Sequence, residues 1–438
     1  MGDIRNFFRY VIPAVLSFAL SGVYAIVDGF FVGNSIGDLG LSTINVAYPI
    51  VAVIQSLGTG IGMGGAVCYS IHKAEKKETE AKEAAAGALW LLILSGLILT
   101  FSILLWNPFL LRMLGAEGQL LLLGEKYITV IALGAALQVM GTGLVPFIRN
   151  HGNSFYAMVS MTAGFITNII LDYLFVWVLE QGVAGAAWAT IIGQGVTMLT
   201  ALVYLLHQKQ FTLYLPIADM RAVSAAIVKI GIAPFGLAMA PNISLMIINR
   251  FSILYGGEKA IAVYACIAYI ICIIYLILQG VGDGSQPLLS LYYGEKNFSR
   301  MKRIRKSAYS FSLFLSLISC IVIYLTREHL GVLFGASKEV TMETAKVIPI
   351  FLVSIPFAAV SRITTASFYA AKKSAFSYIL TFTEPLFMSA FMLILPPLLG
   401  GQIMIWWSTV FAGILSALLA LFLKHQADKQ ETSKKLPA

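Results

Sequence analysis

Ala84–Trp106, AAAGALWLLILSGLILTFSILLW, runs for 23 residues without a single charge. Wound as an α-helix at about 1.5 Å per residue it measures roughly 34 Å, enough to cross a hydrocarbon core of about 30 Å. The run is too long and too evenly apolar for the alternating strands of a membrane barrel, so it reads as a transmembrane helix. The chain around it has the same character. Of 438 residues 58% are hydrophobic and 12% charged, and the mean hydropathy is +0.84. A soluble domain carries about a quarter charged residues, so this chain cannot solvate a globular surface. Soluble enzymes, secreted disulfide scaffolds and disordered tails are excluded.

Reading apolar runs against polar breaks gives spans near 10–33, 43–71, 84–106, 121–147, 156–179, 183–206, 225–255, 260–291, 307–326, 343–370, 375–398 and 402–424. The expectation is an all-α polytopic membrane protein with twelve transmembrane helices. When the ends of the spans are assigned alternately to two sides, one side collects 22 of the 30 Lys and Arg. The positive-inside bias makes that side, and both termini, cytoplasmic. The net charge of +9 therefore reports on topology, and no nucleic-acid partner is expected. Cys68, Cys266, Cys272 and Cys320 all lie in apolar segments without a metal-ligand or disulfide spacing.

The longest break near the middle of the chain is 207–224, and the half of the chain after it repeats the half before it. A shift of 221 superposes Pro13 on Pro234, Phe30 on Phe251, Ala47-Tyr48 on Ala268-Tyr269, Phe147 on Phe368 and Phe155 on Phe376. A shift of 220 superposes Gly60, Gly62 and Gly64 on Gly280, Gly282 and Gly284, Gly115-Ala116 on Gly335-Ala336, and Lys126 on Lys346. Six spans per copy is an even number, so the copies share orientation. Two six-helix lobes related by a pseudo-two-fold axis along the membrane normal are expected. The division is a first lobe at 1–206, a cytoplasmic linker at 207–224, a second lobe at 225–424 and a cytoplasmic tail at 425–438.

Gly60-Ile-Gly62-Met-Gly64-Gly65 has the GxGxxG spacing of a dinucleotide loop, but it lies inside a span without a preceding strand. Glycines at these spacings let helices approach closely. Gly280-Val281-Gly282-Asp283 matches the GxGD of intramembrane aspartyl proteases, which is the remote alternative function; the repeat already accounts for its glycines. The five histidines sit at segment ends without the spacing of a zinc site.

Ionisable groups at membrane depth are costly and mark function by default. Here they are Asp28, Asp172, Arg250, Asp283, Arg362 and Glu384. Asp28 on the first span, Asp172 on the fifth and Thr190 on the sixth fall about 8 to 12 Å below the outer surface, and Asn168 lies one turn from Asp172. No Lys or Arg is expected at that level in the first lobe, so these four side chains form a candidate coupling-ion site. In the repeat Asp28 corresponds to Asn249, and the counterparts of Asn168, Asp172 and Thr190 fall among Met388, Met392 and Thr409. The acid pair thus belongs to the first lobe only. In the second lobe Arg250, Arg362, Asp283 and Glu384 could neutralise one another, and a structural role for them stands level with a functional one. Tyr24, Asn45, Tyr48, Asn249, Arg250, Asp283, Gln286 and Glu384 are candidates for the substrate cavity.

Pro13 with Val27-Asp28-Gly29-Phe30-Phe31-Val32-Gly33, Asn168-Ile-Ile-Leu-Asp172, Gly182-Val183-Ala184-Gly185-Ala186-Ala187-Trp188-Ala189-Thr190, and Gln286-Pro287-Leu288 with Tyr293-Gly294 together resemble the multidrug and toxic compound extrusion (MATE) family. The likeness spans the whole chain. The resemblance implies a V-shaped, twelve-helix secondary active transporter, not an enzyme, that expels organic cations and other amphipathic drugs in exchange for H⁺ or Na⁺. Carried over residue by residue, the cation site of the DinF-like prokaryotic members falls on Asp28, Asn168, Asp172 and Thr190, with Tyr24 beside it. These residues would ligate Na⁺ if the coupling ion is sodium. Pro13 matches the proline linked in that branch to bending of the first helix. The NorM-like branch places acids in the seventh and tenth helices, where this chain has Asn249-Arg250 and Arg362; that departure favours first-lobe coupling.

The expectation is therefore a monomeric efflux antiporter of a prokaryotic plasma (inner) membrane, without a cofactor, its partners being small amphipathic or cationic substrates and membrane lipid. The rival reading is a flippase for lipid or polysaccharide, whose polyanionic cargo would call for a basic cavity. The topology is checked by thiol labelling. Cysteines placed at Glu180 and Glu258 should react with an impermeant reagent from outside the cell and cysteines at Lys77 and Arg303 should not, and external labelling at Lys77 would overturn the assignment.

Overall fold

A computed structural model describes residues 2–208, 216–333 and 336–433. Residues 209–215 of the expected linker, 434–438 of the expected tail, and Gly335 of the repeat lie outside the described residues. Where described, the backbone is helical almost throughout. In chain order the helices are α1 (Gly2–Ile36), α2 (Asp38–Ala74), α3 (Glu78–Met113), α4 (Gly118–Leu133), α5 (Ala135–Asn150), α6 (Ser154–Asp172), α7 (Gly182–His207), α8 (Ile217–Gly294), α9 (Phe298–Leu333), α10 (Lys338–Ala370), α11 (Ser374–Leu399) and α12 (Gly401–Ser433).

Twelve labels and twelve spans do not correspond one to one. α4 and α5 meet at Gly134 in a 54° bend and make one broken span, where the sequence suggests an unbroken one at 121–147. α8 comprises two spans joined at Gly257, whose φ of 64° breaks the helix. At Gly134 the backbone stays bonded. The Gly134 amide donates to the carbonyls of Val130 and Ile131, and the buried Gln138 side chain donates to Ile131 at 3.4 Å. Helices also run past the apolar stretches that announce them, since α3 continues well beyond 84–106 at both ends. Hydropathy falls where lipid gives way to water, whereas helical hydrogen bonding does not.

Left-handed backbone positions carry the repeat. Gly37 and Gly257, 220 residues apart, end corresponding helices with φ of 76° and 64°. Lys76 and Lys296 (63° and 55°), and Gly152 and Lys372 (93° and 54°), make the turns of corresponding connections at the same spacing. One turn geometry therefore serves both copies, even where a lysine must adopt a conformation that favours glycine.

The chain divides into two compact units. One comprises Phe8–Met239 with Ser290–Lys296; the other comprises Met1–Phe7, Ala240–Leu289 and Asn297–Ala438. In the first, α2 is the central helix, and its glycines explain why. A Cβ on Gly62 would run into the backbone of Gly143 on α5, and one on Gly60 or Gly64 would strike the backbone of α8 near Gly231 and Ile227. The GxGxxG spacing is thus a helix-packing surface. In the second unit a Cβ on Gly282 would come within 3.3 Å of the Ala366 Cβ on α10, a tight approach, and Tyr264, Phe351, Met388, Met392 and Trp406 centre an apolar core. All four cysteines are free and buried or half-buried.

Ion pairs join groups that the charge pattern assigns to one side. Asp3 pairs with Arg300 and Arg303, the buried Arg305 pairs with Asp428, and Lys259 pairs with Glu339 at 2.6 Å. The first two sets belong to the lysine-rich side and the last to the other.

Gly62→Ala should lower the midpoint of thermal unfolding in detergent, since overpacking of this kind costs about 1–3 kcal/mol. Gly195→Ala is the control: its Cβ would meet only Leu137 at 3.6 Å, so stability should hold or rise slightly. Equal midpoints for the two variants would contradict the packing account.

Candidate functional site

In the first unit α1 presents one face to α6 and α7. Residues 24, 28, 31/32 and 35 share that face by helical spacing, and each of them except Asp28 makes a packing or backbone contact. Tyr24 stacks on Phe165 with ring centroids 5.2 Å apart. Val32 is buried with Val176 and Ala186, Phe31 sets its ring edge-on to Trp177 and Tyr173, and the Ser35 hydroxyl donates to the Val176 carbonyl at 2.9 Å. Asp28 is thereby held in the middle of an aromatic and apolar seam.

The partner helices are held together by small residues. A Cβ on Gly193 of α7 would press on Asn168 and on the Gly164 carbonyl of α6, and one on Gly164 would strike Thr197. This close crossing brings Asn168, Asp172 and Thr190 into one buried layer, with exposures of 3%, 0% and 6%. Immediately after Asp172 the helix widens into a π-turn over Tyr173–Val178. Such turns appear frequently at functional sites. The sequence carries no signal for it.

The Asp28 and Asp172 carboxyls face each other within hydrogen-bonding reach, and the Tyr24 hydroxyl meets Thr190. Both oxygens of Asp172, both amide atoms of Asn168 and Oδ1 of Asp28 are buried without a hydrogen-bond partner. A buried polar atom left so costs about 1–3 kcal/mol, and five such atoms in one layer are an arrangement that calls for an occupant. No Lys or Arg is among the groups acting on either acid. Carboxylate, amide and hydroxyl oxygens suit a proton shared between the acids or a hard monovalent cation such as Na⁺. The residues present fit either.

The sequence reading missed Tyr127 of α4. It is 4% exposed and lies within electrostatic reach of Asp28, Asp172 and Tyr48. Nothing in its local sequence distinguishes it from other tyrosines in apolar runs; only the fold brings α4 to this layer. Asn45 and Tyr48 lie on the exposed part of α2, Tyr48 on the side of Tyr127.

Among the described residues the second unit has no counterpart of this layer. Met388 and Met392, among which the repeat places the matches of Asn168 and Asp172, are buried in the apolar core, and Asn249 is half-buried with its Oδ1 unpartnered. The charged side chains of that unit gather elsewhere and only in part. Asp283 accepts from Tyr369 at 3.1 Å and Gln279 at 3.3 Å, Arg362 reaches Gln279, and Glu384 lies near Arg362. Arg250 is exposed on α8 and takes no part in that cluster, so mutual neutralisation, one of the two readings of these four groups, does not extend to it. Gln286 is buried, at 1% exposure.

Comparison with known proteins shows the same division. The MatE family model matches residues 13–174 and again 234–391, two stretches that begin 221 residues apart, the offset of the repeat. The multidrug export protein MepA of Staphylococcus saprophyticus is 23% identical over 423 residues, covering 96% of this chain and 93% of its own. A multidrug resistance MATE family transporter of the MOP superfamily, solved in an outward-facing conformation, superposes with a TM-score of 0.90 at 22% identity over 98% of this chain and 96% of its own. A MOP superfamily transporter from Pyrococcus furiosus, described as having a binding pocket of reverse polarity that suggests a different function, superposes with a TM-score of 0.92 at 22% identity over 98% and 97%.

Asp172→Asn should raise thermal stability in detergent at neutral pH by about 1–3 kcal/mol, because an amide can donate to the facing Asp28 carboxyl where a carboxylate cannot. A midpoint at or below that of the parent protein would show that the two acids are already satisfied.

Proposed function

The chain belongs to the MatE family, and on that premise we propose that it is a secondary transporter that expels amphipathic, often cationic, organic compounds in exchange for H⁺ or Na⁺. Its relatives named for multidrug export cover nearly the whole chain, and its spans make it an integral membrane protein. The observation that carries the exchange is the facing pair Asp28 and Asp172, on which no Lys or Arg among the described residues acts. Two carboxylates this close in a medium of low dielectric repel, so neutralising one by a proton or by Na⁺ is favourable, and releasing that ion restores the repulsion. Binding of the ion and binding of the drug then favour different conformations, which is the requirement for exchange by alternating access.

Pro13 is the proposed hinge. It lies inside a continuous α1, where it removes one backbone hydrogen bond, and the Ser17 hydroxyl bonds back to its carbonyl at 2.7 Å. A helix so weakened near its inner end has straight and bent forms of similar energy. Tyr24, Asn45, Tyr48, Asn249, Arg250, Asp283, Gln286 and Glu384 remain the proposed cavity residues. The proposed setting is the plasma membrane of a prokaryote, with both termini in the cytoplasm and the monomer as the working unit.

Purified protein in vesicles with an imposed pH or Na⁺ gradient provides the test. Asp28→Asn keeps the volume of the side chain but cannot ionise, so gradient-driven drug uptake should fall to the level of empty vesicles while the protein stays folded. Asp172→Asn should do the same, and the double variant should be little worse than either single one, since both acids serve one site. Parental, gradient-dependent rates in Asp28→Asn would place the coupling elsewhere.

A further inference from the structure

The second unit buries a charge to which the exchange reading gives no task. Tyr275, Gln279 and Asp283 recur every fourth residue along α8 and so share one face of it. Arg362 of α10, 7% exposed, lies across that face. Its guanidinium carbon sits 4.3 Å from the centroid of the Tyr275 ring, and its Nη1 donates to Gln279 Oε1 at 3.2 Å. Gln279 in turn donates to Asp283, which also accepts from Tyr369. From α11, Glu384 lies close to the Tyr275 hydroxyl and stands near the Arg362 charge. Glu384 is in helical register with the buried Ser377, Thr381 and Met388 and opposite the exposed Ile379, Phe382 and Leu386. Its carboxyl therefore faces the interior of the unit.

An aromatic face, an amide oxygen and a nearby carboxyl around one buried positive group, with a second carboxyl bonded behind the amide, are the elements that bind a free organic cation. We propose that these residues form a cation pocket of guanidinium class within the second unit, and that the protein fills it with its own Arg362 as a tethered ligand. The tether settles the charge of Glu384 internally and ties α8, α10 and α11 together. It also separates the two units in kind, because the acids of the first unit face no fixed cation. The hold is incomplete: Arg362 Nε is buried without a hydrogen-bond partner. A free guanidinium ion, able to turn in the pocket, should therefore bind once the arginine stem is removed. None of this depends on ion exchange by the first unit.

The test is chemical rescue. Arg362→Ala should unfold at a lower temperature than the parent, and guanidinium chloride, at concentrations far below those that denature, should raise its midpoint where equal sodium chloride or choline chloride does not. The parent midpoint should not rise. In vesicles the same variant should lose roughly tenfold in drug transport, as expected for one charge-assisted hydrogen bond, and recover most of it with guanidinium. Arg362→Lys should need less rescue. A guanidinium effect absent from the variant, or equal in variant and parent, would overturn the proposal. If Arg362→Ala is not recovered folded, the pair Arg362→Gln and Glu384→Gln decides. The double variant should be more stable than Arg362→Gln alone, since it removes the carboxylate left unpaired; strictly additive losses would overturn the pairing.

Discussion

A peptide group in hydrocarbon has no water to bond, so every backbone amide and carbonyl at membrane depth must be satisfied by the chain itself. From that constraint come the long helices, the placing of polar turns at their ends, and the bonding kept at the Gly134 break. The bend at Gly134 is tolerated because its amide keeps two carbonyl partners and the Gln138 side chain reaches the carbonyl of Ile131. Helices that satisfy themselves have no polar backbone left with which to recognise one another. They meet through shape, and the glycines of α2 against Gly143 and Gly231 supply it.

The same constraint gives meaning to the polar side chains that remain. In hydrocarbon a carboxyl either finds partners or awaits one, and the two units take opposite courses. Asp283 and Glu384 are surrounded by Tyr369, Gln279, Tyr275 and Arg362. Asp28 and Asp172 face each other in a layer whose carboxyl and amide atoms lack hydrogen-bond partners. One arrangement is a largely matched network, short of a partner only at Arg362 Nε, that links the helices of a packed core. The other carries an energetic penalty that binding an ion would relieve, and it stands where α1 meets the π-turn of α6, a segment whose hydrogen bonding is already irregular. Duplication supplied two copies of one scaffold, with left-handed turns at the same 220-residue spacing, and the copies diverged in whether their buried charge is matched.

Much of this was written in the chain. Uninterrupted apolar runs determined the membrane and the helices, because only a self-bonded helix suits that solvent. The offset of Pro13 to Pro234 and of Gly62 to Gly282 determined the duplication, and the family model begins its two matches at the same offset. Acids at membrane depth pointed to Asp28 and Asp172, since their cost in hydrocarbon is a property of the residue and needs no neighbour to be recognised. Tertiary structure alone decided the rest. The bend at Gly134 depends on what packs beside it, the π-turn leaves no composition signature, and Tyr127 joins the acid layer only because α4 is folded against it. The partners of Arg362 were likewise hidden: a lone arginine in an apolar run announces its charge, but which aromatic face and which carboxyl receive it is settled by helices 83 residues apart in sequence coming together. Solvent acts on each residue separately and is legible one residue at a time, whereas packing acts on pairs distant in the chain and is legible only once the chain has folded.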